Sequence, residues 1–357
     1  MKTSSAHKLR TGLFAALSLL LLLDAAHAHS PSFSEGLVHA QDPATKKWGY
    51  LNKKGEWALP PKFDEAHEFK SGRAGVKQGD QTMFIDQSGK VAFISKWKVE
   101  LWEGFHGGLL RIVEDGKQGY VDTSGKLSIA PEYDAAKFFS DDFAAVSKGG
   151  KWGFINTRGK VVVPLDWDAV GSFSEGLAWV SRERKTGFIN ETGGLQIPLQ
   201  YSRANDFKNG HASVYEGVEK QNRVINAKGE LLTSPNPKWT SWEIVGDDRI
   251  SFAIDAANSI TGKLLGIADS KGQVLVEPTW ALMAIGSGFD SGLACAKLPG
   301  ESRREWGETC YINRDGKVVI PYFDYSNWFE EGLAFASEGN KKGYIDTTGK
   351  FVFEMPK

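Results

Sequence analysis

A glycine closing an Asn/Asp-x-x-Gly turn returns nine times along this chain, at Gly55, Gly89, Gly125, Gly159, Gly193, Gly229, Gly272, Gly316 and Gly349. The intervals are 34, 36, 34, 34, 36, 43, 44 and 33 residues. A period of this size confines the chain to small stacked units, each burying its apolar face only against its neighbours. The units are β rather than helical. GLAWV, GFIN and KVVVP are short runs of β-branched and aromatic residues cut by Gly and Pro, and none reaches helical length.

Each unit has a physical grammar. The Asn or Asp opens its turn through its own side chain, and the Gly supplies positive φ. These turns lack the D-x-D-x-D-G spacing and closing Glu of a calcium loop, so turn chemistry accounts for them. Pro60, Pro131, Pro164, Pro198, Pro235, Pro278 and Pro321 follow the next run and are expected to stop that strand. An F-x-x-G corner at Phe33, Phe69, Phe105, Phe173, Phe207, Phe289 and Phe329 is expected to bury its ring. Glu35, Glu175 and Glu331 recur inside it, which assigns them a structural rather than a catalytic role.

Residues 1–28 read as a signal peptide: Lys2, Lys8 and Arg10, then the apolar Leu13–Leu23, then Ala26-His27-Ala28. Cleavage near Ala28-His29 predicts an exported protein, periplasmic or extracellular, with residues 29–357 as one β-repeat domain. No later stretch has the roughly 18 apolar residues of a membrane span. Without the leader's three basic residues and one Asp, the net charge is −3 with both signs mixed. That leaves no basic stripe for nucleic acid.

KWGFINTRGK, KKWGYLNKKGE, KQGYVDTSGK and KKGYIDTTGK, followed by V-x-P and F-S-E-G-L segments, resemble WG (KWG) repeats. The resemblance runs from about Phe33 to Pro356 and loosens in unit six, where Arg223 replaces the Gly, in unit seven, and in unit eight, where Cys310 does so. It implies a β-strand repeat found in many bacterial proteins, often exported, with no common catalytic activity and no cofactor.

GLAWV, GFIN, KVVVP and a W-D-A-V segment suit the four strands of a β-propeller blade. An open β-solenoid is the alternative architecture. The terminal pieces of the chain are expected to complete one shared blade.

Function is sought where regularity fails. The corner Gly precedes the turn Gly by 17 residues in regular units, but by 24 from Gly292 to Gly316 and by 23 from Arg249 to Gly272. The inserted stretches, near residues 255–263 and 299–306, point to a contact surface carrying Arg303, Arg304 and Trp306. Trp97, Trp102, Trp239 and Trp242 lie in diverging spacers, where exposed indoles suit a glycan or protein partner and core filling is the alternative. Trp102 aligns with the Ala66 and Ala136 positions. Cys295 and Cys310 flank one hairpin and are candidates for a disulfide. The scattered histidines show no metal-ligand spacing.

The expected function is an exported, non-enzymatic scaffold that binds another protein or an envelope glycan. The alternative is a propeller-type hydrolase or lyase acting on a cell-wall or extracellular polymer.

Overall fold

The computed structural model describes residues 31–355 apart from 217–220, 233–235, 237, 247–248, 257–262, 270, 281, 285–290 and 298–308. The described residues form nine antiparallel sheets and no helix. The sheets are the blades of a β-propeller, spanning 37–63, 65–94, 109–133, 135–167, 169–201, 203–232, 241–280, 282–323 and 325–354. Blade four shows the plan. A two-residue first strand, Ala135–Ala136, pairs with Phe143–Lys148, which pairs with Lys151–Asn156, which pairs with Val161–Trp167.

The glycine of the W-G pair follows from the register of the last two strands. Trp152 faces Trp167 and Phe154 faces Val163, so two steps on the third strand oppose four on the last. This bulge carries the backbone of Val163 and Pro164 against Gly153, where an added Cβ would stand 2.4 Å from the Val163 carbonyl oxygen. Gly49, Gly119 and Gly187 meet the same obstacle. Pro164 therefore does not stop its strand, as expected from sequence. It lies inside Val161–Trp167, within the bulge, where the missing N–H is not needed for pairing.

Past the bulge the chain changes blade. After the single residue Asp168 it enters Ala169–Val170, the first strand of blade five. The W-D-A-V segment thus straddles the boundary, Trp167 ending one blade and Ala169–Val170 opening the next. Asp168 clamps the crossing: its amide donates to Ser181 O at 2.9 Å, and its carboxylate accepts from Lys151 of blade four at 2.6 Å and from the Glu183 amide of blade five at 2.8 Å.

The core lies between blades. Tyr50, Leu59 and Phe63 of blade one pack against Ala66, Phe69, Ala74, Val76 and Ile85 of blade two, and equivalent clusters join blades three to four and five to six. Each middle strand is buried on both sides, which explains its continuous apolar run. The corner Phe docks on the aromatic ring of the preceding blade, with centroids 4.8 Å apart for Tyr50 and Phe69 and 4.9 Å for Tyr120 and Phe139. The Tyr50 hydroxyl donates to His67 O at 2.7 Å and that of Tyr120 to Lys137 O at 2.6 Å. Glu35 accepts from the Gly72 amide at 3.0 Å and Glu175 from the Gly210 amide at 2.7 Å, so the corner glutamates hold neighbouring corners together. They do so with φ of 53° and 55°, a left-handed backbone that costs a non-glycine residue about 1–2 kcal/mol and that these bonds offset in part.

The same contacts join blade nine to blade one. Phe33 docks on Tyr344 at 4.9 Å, the Tyr344 hydroxyl donates to Pro31 O, and Glu331 accepts from the Gly36 amide at 3.0 Å. The ring is closed, which excludes the open solenoid. It closes by packing whole blades together, without the shared blade expected from the termini: the strands of blade one come from 37–63 and those of blade nine from 325–354.

Closure makes a quantitative prediction. Tyr344→Phe and Tyr120→Phe each remove one hydroxyl bond across a blade boundary, and each should destabilise by about 1 kcal/mol. Thermal unfolding should give equal losses. A neutral Tyr344→Phe beside a costly Tyr120→Phe would mean that the boundary between blades nine and one is open.

Candidate ligand-binding site

On the strand that follows each corner, the second and fourth residues after the corner motif repeat faithfully. They are Val38 and Ala40, Ala74 and Val76, Leu110 and Ile112, Ala178 and Val180, all buried. The residue between them does not repeat: it is His39, Gly75, Arg111, Ala145, Trp179, Ser213 or Phe335. Alternation along a strand sends it to the opposite side, toward the next blade. Beside it, on the first segment of the same blade, stands a second irregular position two residues before that blade's corner Phe, occupied by His67, Glu103, Lys137, Gly171, Asn205 or Asn327. These two positions line a row of slots between blades.

Between blades one and two, His39 is half-buried and its Nδ1, itself shielded from solvent, has no hydrogen-bond partner. Burial, with His67 nearby, lowers its pKa to about 4, so its ring is neutral. At blade three, Glu103 is only 4% exposed and its carboxylate is held by Arg111, whose Nη1 reaches across to Ala136 O at 2.8 Å. A buried acid is tolerable there because a guanidinium pairs with it.

At the next boundary Ala145 leaves space, and Lys137 fills it. Its Nζ donates to Val170 O at 2.7 Å and lies 5.8 Å from the Trp152 ring and 5.7 Å from the Trp179 ring. Burial lowers the pKa of Lys137, opposed by the nearby Asp206 carboxylate.

Between blades five and six the occupants reverse. Gly171 takes the lysine position and Trp179 the alanine position. A Cβ on Gly171 would lie 2.3 Å from Asp206 Oδ1 and 2.4 Å from Trp179 Nε1, so the glycine makes room for the hydrogen bond between them. Asp206 Oδ1 also accepts from the Ser172 amide at 3.2 Å. Beside this pair opens a cavity of 540 Å³ lined by Ala169, Trp179, Ser181, Thr186, Ser202, Arg203, Ala204, Asn205 and Asp206. Its size is that of a small-molecule site, and one indole accompanies many hydroxyl, amide and charged groups. Although Asp206 is exposed as a residue, desolvation of its carboxylate raises its pKa above the usual carboxylate range, against the Ser172, Lys137 and Trp179 contacts that lower it.

The residues singled out from sequence lie elsewhere. Arg303, Arg304 and Trp306 fall outside the described residues. Both insertions do extend the same hairpin, between Arg249–Asp255 and Lys263–Asp269 in blade seven and between Leu293–Lys297 and Thr309–Asn313 in blade eight. This is the hairpin end of a blade, where Ser181 and Thr186 of the cavity also sit. Trp239 is 8% exposed and stacks on Phe252 at 4.3 Å, Trp242 packs in the same cluster, and Trp97 packs against the cluster of Phe84 and Leu101. These three fill core space.

Trp102 is 62% exposed and does not take the buried Ala66 position. Lys98 bridges Val113, as Ala135 pairs with Ser147, but seven residues rather than four then lead to the corner Phe. Leu101 drops into the space beside Gly75, and Trp102 stays outside.

The cysteines need a correction too. Ala296 faces Cys310 and Cys295 faces Tyr311, so the thiols point to opposite sides of the sheet. Cys310 packs toward blade seven with Ile267 and Val276, and Cys295 toward blade nine with Phe329 and Ala334. Both are free, which rules out the candidate disulfide.

Among the described residues no group of three or more His, Cys, Asp or Glu is placed to hold a metal, and no helix is long and apolar enough to cross a membrane.

Nine blades, closed by repeated packing, define the chain as a β-propeller with irregular slots between its blades. Five of its stretches match the family model described as "WG containing repeat": residues 48–81, 119–152, 152–185, 187–217 and 311–341. Each match starts in the last-but-one strand of one blade and runs into the residues of the next, so the sequence unit spans a blade boundary. No protein of curated function matches the chain in sequence.

The chain resembles the crystal structure of the eukaryotic initiation factor, with a TM-score of 0.59 and 11% identity over 90% of this chain and 96% of that one. That likeness shows the fold alone. The dihydro-heme d1 dehydrogenase NirN in complex with DHE gives 0.45 and 14% over 96% and 84%, and the WD40 domain of SCAP from fission yeast 0.36 and 10% over 91% and 96%. Neither bears on function.

Two measurements follow. Denatured, unreduced protein should titrate two thiols, and the native protein none over minutes, because burial raises both thiol pKa values, that of Cys310 to about 12. No thiols in the denatured sample would restore the disulfide. Asp206 should titrate above ordinary carboxylates by carboxyl NMR. A raised folded-state pKa contributes stability below the unfolded-state pKa and loses it as pH rises through the folded one. Asp206→Asn should remove that part of the pH dependence, and an Asp206 pKa at or below the ordinary value would contradict the shielding.

Proposed function

We propose that this protein is an exported, non-catalytic scaffold that binds a component of the cell envelope, a protein or a glycan, on the slot-bearing part of its ring. One observation carries the reading. The repeats agree wherever blades pack, and chemistry accumulates where they differ, in the row holding His39, Arg111, Lys137, Trp179 and Asp206. A repeat that served only as a spacer has no physical need for a buried Glu103–Arg111 pair or a tryptophan bonded to a carboxylate. Function collects where a rigid frame holds non-repeating side chains. The leader-like residues 1–28 support export.

The test uses the chain from His29 onward, sedimented with purified cell envelopes. Saturable co-sedimentation is expected, reduced at least tenfold by Lys137→Ala combined with Trp179→Ala in protein that keeps its circular dichroism. Protease treatment of the envelopes separates a protein partner, whose binding it abolishes, from a glycan, whose binding it spares. Absence of co-sedimentation, or binding indifferent to the substitutions, counts against the scaffold reading or its placement. Full-length, unprocessed chain retained in the cytoplasm of the source cell would end the export part.

A further inference from the structure

The slot between blades five and six has the composition of a saccharide site. We infer that its cavity binds a neutral sugar residue of a glycan, stacked on Trp179 and hydrogen-bonded through its hydroxyls to Asp206 and Asn205. This rests on the binding-scaffold reading and specifies the ligand of one slot. Three features support it.

The first is the wall. Trp179 presents an indole to a cavity lined by both apolar and polar groups, and its Nε1–H is engaged by Asp206. An indole fixed through its nitrogen offers a rigid apolar surface to the C–H side of a pyranose, at little cost in conformational freedom. Lys137 stands 5.7 Å from the ring centroid and limits its movement toward blade four.

The second is the lining. Ser181, Thr186, Ser202 and Asn205 mix donors and acceptors at short spacing, as a polyhydroxylated ligand requires and an apolar one does not. Asp206 adds an acceptor whose Oδ1 takes the Ser172 amide and whose carboxylate also meets Trp179. A carboxylate oriented in this way accepts hydroxyl hydrogens from a sugar and repels an acidic ligand. Arg203 does not reverse that preference: its guanidinium lies over the Tyr215 ring, 5.8 Å from the centroid, where it is partly engaged. The ligand class is therefore a neutral saccharide rather than a uronic acid.

The third is Gly171. The equivalent residue one blade earlier, Lys137, fills its slot with its own side chain, whereas Gly171 leaves room for the Trp179–Asp206 contact. Its φ is not in the left-handed region, so the backbone itself does not demand glycine. Space for the Trp179–Asp206 pair is what does.

The experiment titrates the chain from His29 onward with tetramers of β-1,4-linked N-acetylglucosamine, β-1,4-linked glucose and galacturonate, read by tryptophan fluorescence and calorimetry. The proposal expects saturable binding of a neutral tetramer and at least tenfold weaker binding of galacturonate. Asp206→Ala and Gly171→Ala should each weaken the neutral ligand at least tenfold while thermal stability stays close to wild type. Gly171→Ala removes no lining group and acts only by displacing the Trp179–Asp206 pair. Tighter binding of galacturonate, or neutral binding unmoved by both substitutions, overturns the proposal. If no tetramer binds while co-sedimentation with envelopes persists, the saccharide assignment falls and the scaffold reading stands. If both fail, both fall.

Discussion

The four-against-two bulge opposite the W-G glycine is the constraint on which the ring depends. It bends the last strand of a blade so that, one residue later, the chain pairs with the following blade. The bent backbone needs a position without a side chain on the neighbouring strand, and only Gly supplies it. The exceptions follow the same rule. Met83 occupies the glycine position in blade two, and there it faces Ile94 directly, with Phe84 opposite Phe93 and no bulge between. Cys310 occupies it in blade eight, where Thr309 faces Phe323 and Tyr311 faces Ile320, a bulge one residue shorter. In blade six the glycine position is Arg223 and the last strand is only Leu231–Leu232. In blades two and eight a side chain returns where the bulge disappears or shrinks, whereas blade nine keeps Gly343 without it, facing Glu354 directly.

This is why so much of the fold was legible in the sequence. Turn glycines repeated nine times, with corner phenylalanines and apolar runs in most units, are local demands, and repetition separates a demand from an accident. Strand ownership was not legible in the same way. The W-D-A-V segment reads as a fourth strand of its own unit because a sequence shows order and not hydrogen bonding. Pro164 reads as a stop because the general rule for proline in strands omits the bulge. Closure was also invisible as a pairing of termini. What closes the ring is Tyr344 and Glu331 doing for blade one what Tyr50 and Glu35 do for blade two.

The candidate site was legible only in retrospect, and the reason is instructive. Attention to tryptophans in irregular spacers picks out residues that fill the space the irregularity creates, as Trp239 does against Phe252. Trp179 escaped notice because it sits inside a regular unit, in GLAWV, at a position that looks like ordinary strand. The available signal was variation at a fixed register: His, Gly, Arg, Ala, Trp, Ser and Phe at one position whose neighbours on both sides remain small and apolar. The cysteines teach the complementary lesson. Flanking a hairpin does not put two residues on one side of it, and an offset of one residue sends Cys295 and Cys310 to different blades.

The separation of frame from slot explains how such a ring can acquire specificity without losing its fold. Frame contacts use the second and fourth residues after each corner, the corner Phe and the turn Gly, which packs against the preceding blade, as Gly159 does on Ile129. Slot residues point away from those contacts, into space bounded by the next blade's first strand. Exchanging Ala145 and Lys137 for Trp179 and Gly171 therefore alters one slot and leaves the packing of Val146 and Val180 the same, both fully buried. Side chains that share no contact act nearly independently, so boundaries whose slot residues do not touch can be changed separately, while Lys137, which reaches the Trp179 ring, couples two adjacent ones. On this arrangement the buried Glu103–Arg111 pair, the lysine-filled boundary beside it and the open cavity at Trp179 are three chemistries on one backbone plan.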